Sequence, residues 1–436
     1  IQENIDLWEF ILSALSGMYQ VYRKTDLRKL IIHLTLLFTL LFASDQSYVL
    51  MVSFDGFRYD FTTMADTPNF DRLELEGVKA DALIPVFPSL TFPNHYSIAT
   101  GAYSGTHNIT GNSFYDKEFR EKYSLYDRNK VRDPKFYKSE PIWVTAERQG
   151  VKAASFYWVG SEAPIKGYSP SIFKYYDGSV PFKARIDSVI SWFQLPHKNR
   201  PQLIMLYFSE PDHTGHDWGV NTSEIVEAVE EMDDLLGYLL QNLEGLKIHS
   251  NLNLIIVSDH GMINVSENKR IVLDDYISRL GDLYLNGRGT HVQFDLKKFK
   301  RKYKKILFKE LQKIPHCKVW KKNNIPERFH FNNNNTGEFL LLADEGWLIT
   351  TQSAMDEDEF TLGGMHGYDP QLPNMHGIFY ALGADIKSNL QIPAFENIHI
   401  YPMICNLLNI DPYSGKKDYP EGEIQILNHI LIEKNE

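Results

Sequence analysis

Three apolar runs in this chain are too continuous for half-exposed strands and too short for buried helices. Tyr48 to Phe54, Gln202 to Phe208 and Asn251 to Val257 each span about one strand and stop at a polar block: Asp55, Glu210-Pro211-Asp212 and Ser258-Asp259-His260. Strands buried on both faces of a parallel sheet carry this kind of pattern. Ser223 to Leu246 has a different period. It starts acidic and places Ile225, Val226, Val229, Met232, Leu235, Leu236 and Leu239 at helical spacing, which predicts a helix with one core-facing stripe. Strand-type runs alternating with helix-type runs predict an α/β fold, a mostly parallel central sheet with helices on both faces. Each strand then delivers an acidic residue at its carboxyl end, where open α/β sheets hold their sites. No repeat or composition break divides residues 45–436, so they are expected to form a single domain.

The amino end follows another pattern. Arg23, Lys24, Arg28 and Lys29 precede an apolar run from Leu30 to Ala43, of signal-peptide rather than membrane-spanning length. Residues 1–44 are therefore expected to be an extension plus a leader, with synthesis starting at Met18 and cleavage near Ala43-Ser44. The rival reading is a type II signal anchor. A second apolar stretch is missing near the carboxyl end, so no stable membrane span is expected after cleavage. Four sequons, at Asn108, Asn221, Asn264 and Asn334, agree with a secreted glycoprotein.

A formal charge of −11 argues against a nucleic-acid-binding surface, because tracking a polyanion needs a basic stripe. One stretch departs from that balance. Lys297 to Lys322 is strongly basic and Asn323 to Asn335 is asparagine-rich, which predicts a solvated helix followed by a glycosylated loop. The two cysteines, Cys317 and Cys405, can form one disulfide or both stay free.

The polar blocks carry the chemistry. Asp55, Thr91, Asp212, His216, Asp259, His260 and His366 supply three carboxylates, three imidazoles and a hydroxyl, with no thiolate. Hard oxygen and borderline nitrogen donors of that kind suit two zinc ions with positions left open for substrate. The chain reads as a two-metal hydrolase of phosphate esters.

Asp55-Gly56-Phe57-Arg58, Leu90-Thr91-Phe92-Pro93-Asn94-His95-Tyr96-Ser97, Glu210-Pro211-Asp212-x-x-Gly215-His216, Ser258-Asp259-His260-Gly261-Met262 and His366-Gly367-Tyr368-Asp369 occur in that order. Together they resemble the nucleotide pyrophosphatase/phosphodiesterase family of the alkaline-phosphatase superfamily, over roughly residues 47–412. The resemblance implies one zinc on Asp55, Thr91, Asp259 and His260, and a second on Asp212, His216 and His366. It implies Thr91 as a nucleophile that forms a phospho-threonine intermediate, and Asn112 as the amide binding a non-bridging phosphoryl oxygen. Phe92 and Tyr176 match positions that sandwich a nucleotide base, with Tyr157 a weaker candidate for the same cavity. His366 has a rival in His376, while His95, His107 and His213 are expected in the core or behind the ligands. Leu90 replaces the lysine that many nucleotide-cleaving members carry before the nucleophile, which weakens the case for triphosphate binding.

The implied function is a secreted zinc phosphodiesterase that releases nucleoside 5′-monophosphates from extracellular nucleotides or dinucleotides. The alternatives are a phospholipid or choline phosphodiesterase with the same chemistry, and a catalytically silent binding protein.

Overall fold

A computed structural model describes residues 46–297, 301–356, 363–415 and 417–433. The leader, start, cleavage and anchor expectations fall outside these residues. Ser47–Glu436 forms one compact unit.

The expected strands form where the apolar runs lie: β1 (Tyr48–Phe54), β5 (Leu203–Phe208) and β6 (Leu252–Val257). With β2 (Val78–Ala80), β3 (Ala153–Phe156), β4 (Ile172–Lys174), β11 (Phe379–Gly383) and β12 (Leu390–Ile392) they build an eight-stranded sheet in the order β12-β2-β11-β6-β1-β5-β3-β4. β1 lies at its centre, parallel to β5 and β6. Only β11 runs against its neighbours.

Alternation along β1 sets the two faces. Val49 and Met51 point to the face covered by α2 (Thr91–Thr100) and α7 (Ile400–Leu407). Leu50, Val52 and Phe54 point to the face covered by α1 (Pro68–Glu76), α3 (Phe182–Phe193) and α5 (Ser223–Glu244). Both faces are thus buried, which is why the run carries no polar alternation. In α5 the predicted stripe is the buried one, and Thr222 caps its first turn through Ile225 N–H. Asp233, on the same helix, is buried and accepts from the free N–H groups of Asn69 and Phe70 at the start of α1.

A second, antiparallel sheet runs β7 (Leu283–Asn286), β8 (His291–Leu296), β10 (Phe339–Ala343), β9 (Cys317–Lys321), and α6 (Arg301–Leu311) packs on its core. The basic segment therefore holds an edge strand as well as the expected helix. Both cysteines are free. Among the described residues no helix is long and apolar enough to cross a membrane.

Candidate metal centre

Four elements bring the predicted ligands together. Asp55 leaves β1 with its N–H bonded to Phe208 O (3.0 Å), and Asp212 N–H, at the start of α4 (Asp212–Trp218), bonds to Asp55 O (3.0 Å). Asp212 and His216 are one helical turn apart, so both face the same side, with His216 Nε2 3.5 Å from Asp212 Oδ2. Asp259 and His260 follow β6. His366 follows a short strand at Gly364–Met365 that pairs with Ile263–Asn264. The result is two donor groups, Asp55 with Asp259 and His260, and Asp212 with His216 and His366; within each, one ligand atom per residue lies within 4.8 Å of the others.

Thr91 is the first residue of α2, after an extended Leu90, and its Oγ1 lies 3.3 Å from His260 Nε2. Thr91 is thus inside the first turn of the helix rather than its cap. Asn94 is instead buried, taking Val86 N–H (2.7 Å) and donating to Pro88 O (3.0 Å). Asn112 Oδ1 accepts from Phe92 N–H (3.0 Å) in the first turn of α2, which fixes the direction of its amide.

The donors fit dications of the zinc type. Each of the three histidines engages a backbone carbonyl through Nδ1: His216 with Gly364 O (2.9 Å), His260 with Gly261 O (3.0 Å) and His366 with Ser89 O (2.9 Å). A carbonyl only accepts, so Nδ1 carries the hydrogen, and in the neutral ring Nε2 presents a lone pair to the site. The Nε2 atoms of His366 and His216 lie 3.2 Å apart, lone pair towards lone pair. Asp55 Oδ1, Asp212 Oδ1 and Asp259 Oδ2 are buried and make no hydrogen bond. Groups arranged this way repel unless positive charge sits among them. The absence of thiolate in the donor set favours zinc over softer metals.

Titration reflects the same crowding. Burial, together with the carboxylates of Asp259 and Asp212, pushes Asp55 well above the usual carboxylate range. For Asp259 burial acts in that direction too, but the His260 and His95 rings, when protonated, outweigh it and hold the group well below. Burial and the neighbouring rings of His260 and His216 push His366 well below an ordinary histidine.

Two groups support the donors: Tyr207, which had not been assigned from sequence, and His95, expected in the core or behind the ligands. Tyr207 Oη donates to Asp55 Oδ2 at 2.6 Å. His95, buried, takes Ser53 Oγ–H at Nε2 (2.8 Å) and places Nδ1 3.0 Å from Thr91 O and 3.3 Å from Asp259 Oδ2. One ring thus lies between the nucleophile candidate's backbone and a carboxylate of the first donor group. The signal for Tyr207 was present: a tyrosine next to the end of a buried strand needs an acceptor for its hydroxyl.

Other candidates sort as follows. His376 Nε2 bonds to Pro370 O (2.9 Å) and lies outside the two donor groups, whereas His366 lies within one. His107 is core, bonded to Ser97. His213 departs from expectation: its side chain is 73% exposed, on the far side of α4 near Asp217. Asn108 corrects the sequon set, being buried with its Nδ2 bonded to Asp116 and Phe136 O. Asn221, Asn264 and Asn334 are exposed. Phe92 is half-buried against Tyr123, and Tyr176 is 41% exposed. Tyr157 is buried, its ring 5.1 Å from that of Tyr176, so it backs Tyr176 rather than opening onto solvent.

A mostly parallel α/β sheet whose strand ends present paired Asp/His donor groups beside a helix-start hydroxyl defines an alkaline-phosphatase-like protein with a bipartite metal-type site. The family model described as type I phosphodiesterase/nucleotide pyrophosphatase matches residues 49–369. The chain belongs to that family. It is 35% identical over 397 residues to a venom phosphodiesterase of Naja atra, covering 89% of this chain and 46% of the relative. With the human ectonucleotide pyrophosphatase/phosphodiesterase family member 1 it shares 36% identity over 391 residues, 88% and 41% of the two chains. The chain thus spans less than half the length of these curated relatives. Murine ectonucleotide pyrophosphatase/phosphodiesterase 5, solved as an inactive threonine-to-alanine variant in complex with AMP, superposes with a TM-score of 0.82 at 33% identity, over 89% of this chain and 100% of that one. The human counterpart gives the same score over 88% and 99%.

Proposed function

We propose that the chain is a secreted two-zinc phosphodiesterase and nucleotide pyrophosphatase that releases nucleoside 5′-monophosphates through a phospho-threonine intermediate. The observation that carries this reading is the position of Thr91 Oγ1, at a helix start and against His260, in a site whose donors leave three carboxylate oxygens without hydrogen bonds. Asp55, Thr91, Asp259 and His260 would hold one ion, and Asp212, His216 and His366 the other. Bound there, zinc supplies the positive charge that lowers the pKa of a hydroxyl and neutralises phosphoryl oxygens.

The chain's own residues do the rest. Thr91 Oγ1 attacks phosphorus in line with the leaving oxygen, and water later cleaves the phospho-threonine ester. The first turn of α2 points the positive end of its dipole at the phosphoryl group. Asn112, held by Phe92 N–H, directs its amide nitrogen to a non-bridging oxygen, where negative charge develops. His95 holds Thr91's backbone and Asp259 in register. Phe92 and Tyr176 offer partly exposed rings to a base, and Tyr157 supports the second.

The AMP complex of the related murine enzyme supports a nucleoside monophosphate product. Leu90 favours a second reading, a choline or phospholipid diester, because it sets an apolar side chain beside the nucleophile in place of a cation; its Cδ2 would lie 2.8 Å from a Cβ at Gly367. Hydrolysis of a dinucleoside polyphosphate against a choline phosphodiester, with and without chelator and with Thr91→Ala as blank, separates the two. Zinc-restored nucleoside monophosphate release supports the first reading. Turnover of the choline ester alone replaces it with the second, and no turnover by the zinc-loaded protein leaves a silent binding protein.

A further inference from the structure

The formal charge of −11 is unevenly spread. From Lys297 to Lys322 the chain carries twelve lysine and arginine residues and one carboxylate, Glu310. The fold gathers part of this run on one face. Tyr303, Leu307 and Leu311 of α6 turn into the core of the small sheet. Lys302, Lys305 and Lys309, at i, i+3 and i+7, stand exposed on the other side over about 10 Å. Lys313 continues the row past the helix end. Lys321, exposed at the end of β9, closes over the Phe308 ring (4.4 Å) and joins the strand to this flank.

Glu310 is a single carboxylate against the row, and its side chain is turned to Ser278, whose Oγ donates to it at 2.7 Å. Other cations of the run are occupied: Lys304 pairs with Glu338, and Lys297 donates to Gly281 O (2.8 Å). Lysines on an edge strand guard against strand pairing, which accounts for Lys318 and Lys321. That reason does not extend to α6, which has no edge to protect. Like charges three and four apart weaken a helix, and Lys302, Lys305 and Lys309 have no acidic residue three or four positions away.

We infer that the α6 lysine face is a docking surface for a sulfated polysaccharide chain. A polyanion recognised by charge alone fits it. Base stacking would need exposed rings, but Tyr303 is buried and Phe308 is covered by Lys321. Insertion into lipid would need an apolar wedge, and the exposed side of α6 offers one aliphatic residue, Ile306. A row of point charges along about 10 Å suits a linear chain of sulfates.

The test uses the full chain on immobilised heparin at about 0.15 M salt. The triple variant Lys302→Gln/Lys305→Gln/Lys309→Gln is compared with Lys130→Gln/Lys135→Gln, a basic pair already engaged by Glu121. Wild type and the control pair should be retained. The triple variant should lose at least tenfold in affinity and show a shallower salt dependence, with turnover and thermal midpoint unchanged. Co-elution of the triple variant with wild type, or an equal shift in the control pair, overturns the proposal. So does wild-type binding to phosphatidylserine vesicles or a single-stranded oligonucleotide without binding to heparin.

Discussion

Gly56 joins the two donor groups, and its replacement by alanine tests whether their spacing is what the site needs. Its φ is +66°, a conformation that costs a non-glycine residue about 1–2 kcal/mol. A Cβ there would lie 2.8 Å from Asp212 Cβ and 2.9 Å from its Cα and Oδ1. Ordinary contact begins at 3.4 Å, so something must give by about half an ångström, and the obstacle is backbone as well as side chain. Asp212 N–H is bonded to Asp55 O, and Gly56 N–H to Asp259 Oδ1 (3.2 Å), so the displacement reaches all three carboxylates.

Two magnitudes then diverge. The fold should lose about 1–2 kcal/mol, a fall of about 1–2.5 °C in thermal midpoint for a domain of this size. Activity should lose about 10²-fold in kcat/KM, the scale set by misplacing reacting groups by about 1 Å, equivalent to about 2.7 kcal/mol on the barrier. The assay pairs kcat/KM on a nucleotide diester with thermal melting and with metal content after desalting, which should fall from about two ions per chain towards one. A Gly56→Ala enzyme within threefold of wild type would refute the reasoning, and so would a loss that disappears on cooling below the melting transition.

Other perturbations follow from the same geometry. Thr91→Ala should lower kcat by about 10⁴-fold or more with an unchanged circular dichroism spectrum, the scale on which losing a nucleophile is felt. Asn112→Ala removes both the bond to Phe92 N–H and an amide donor, and should cost about 10²–10³-fold in kcat with a smaller change in KM, read by steady-state kinetics. Chelation should lower the thermal midpoint reversibly, because each ion bound at 100 times its Kd adds about 2.7 kcal/mol to the folded state. Burial holds His107 and His291 neutral, at about 3 and about 4 against the ordinary 6.5. The unfolded chain protonates them first, so the stability they contribute is complete above about pH 6.5 and falls with pH by about 1.4 kcal/mol per unit per ring. Urea midpoints at pH 7 and pH 5 should show the fall, and His107→Gln should make it shallower.

What could be read from the chain divides by the range of the interactions involved. The strands at Tyr48–Phe54, Leu203–Phe208 and Leu252–Val257 and the helix at Ser223–Glu244 were legible because burial on two faces or on one stripe leaves a local periodic trace. The Asp and His donors that the fold gathers were legible as candidates because each sits directly after a strand or within a short polar block. Departures arise where tertiary contacts decide. Asn108 carries a sequon but is turned inward by Asp116, which also takes the Asn335 amide (2.8 Å), a pairing across more than two hundred residues. His95 shows the limit most clearly. Its position in the sequence gives a histidine in the core or behind the ligands, without its partners. Its role comes from three partners on three elements: Ser53 on β1, Thr91 on α2 and Asp259 after β6. A sequence can announce the donors of a metal centre, because each is constrained one residue at a time. The residue that keeps those donors in register is defined only by where distant elements meet, and only the fold reveals it.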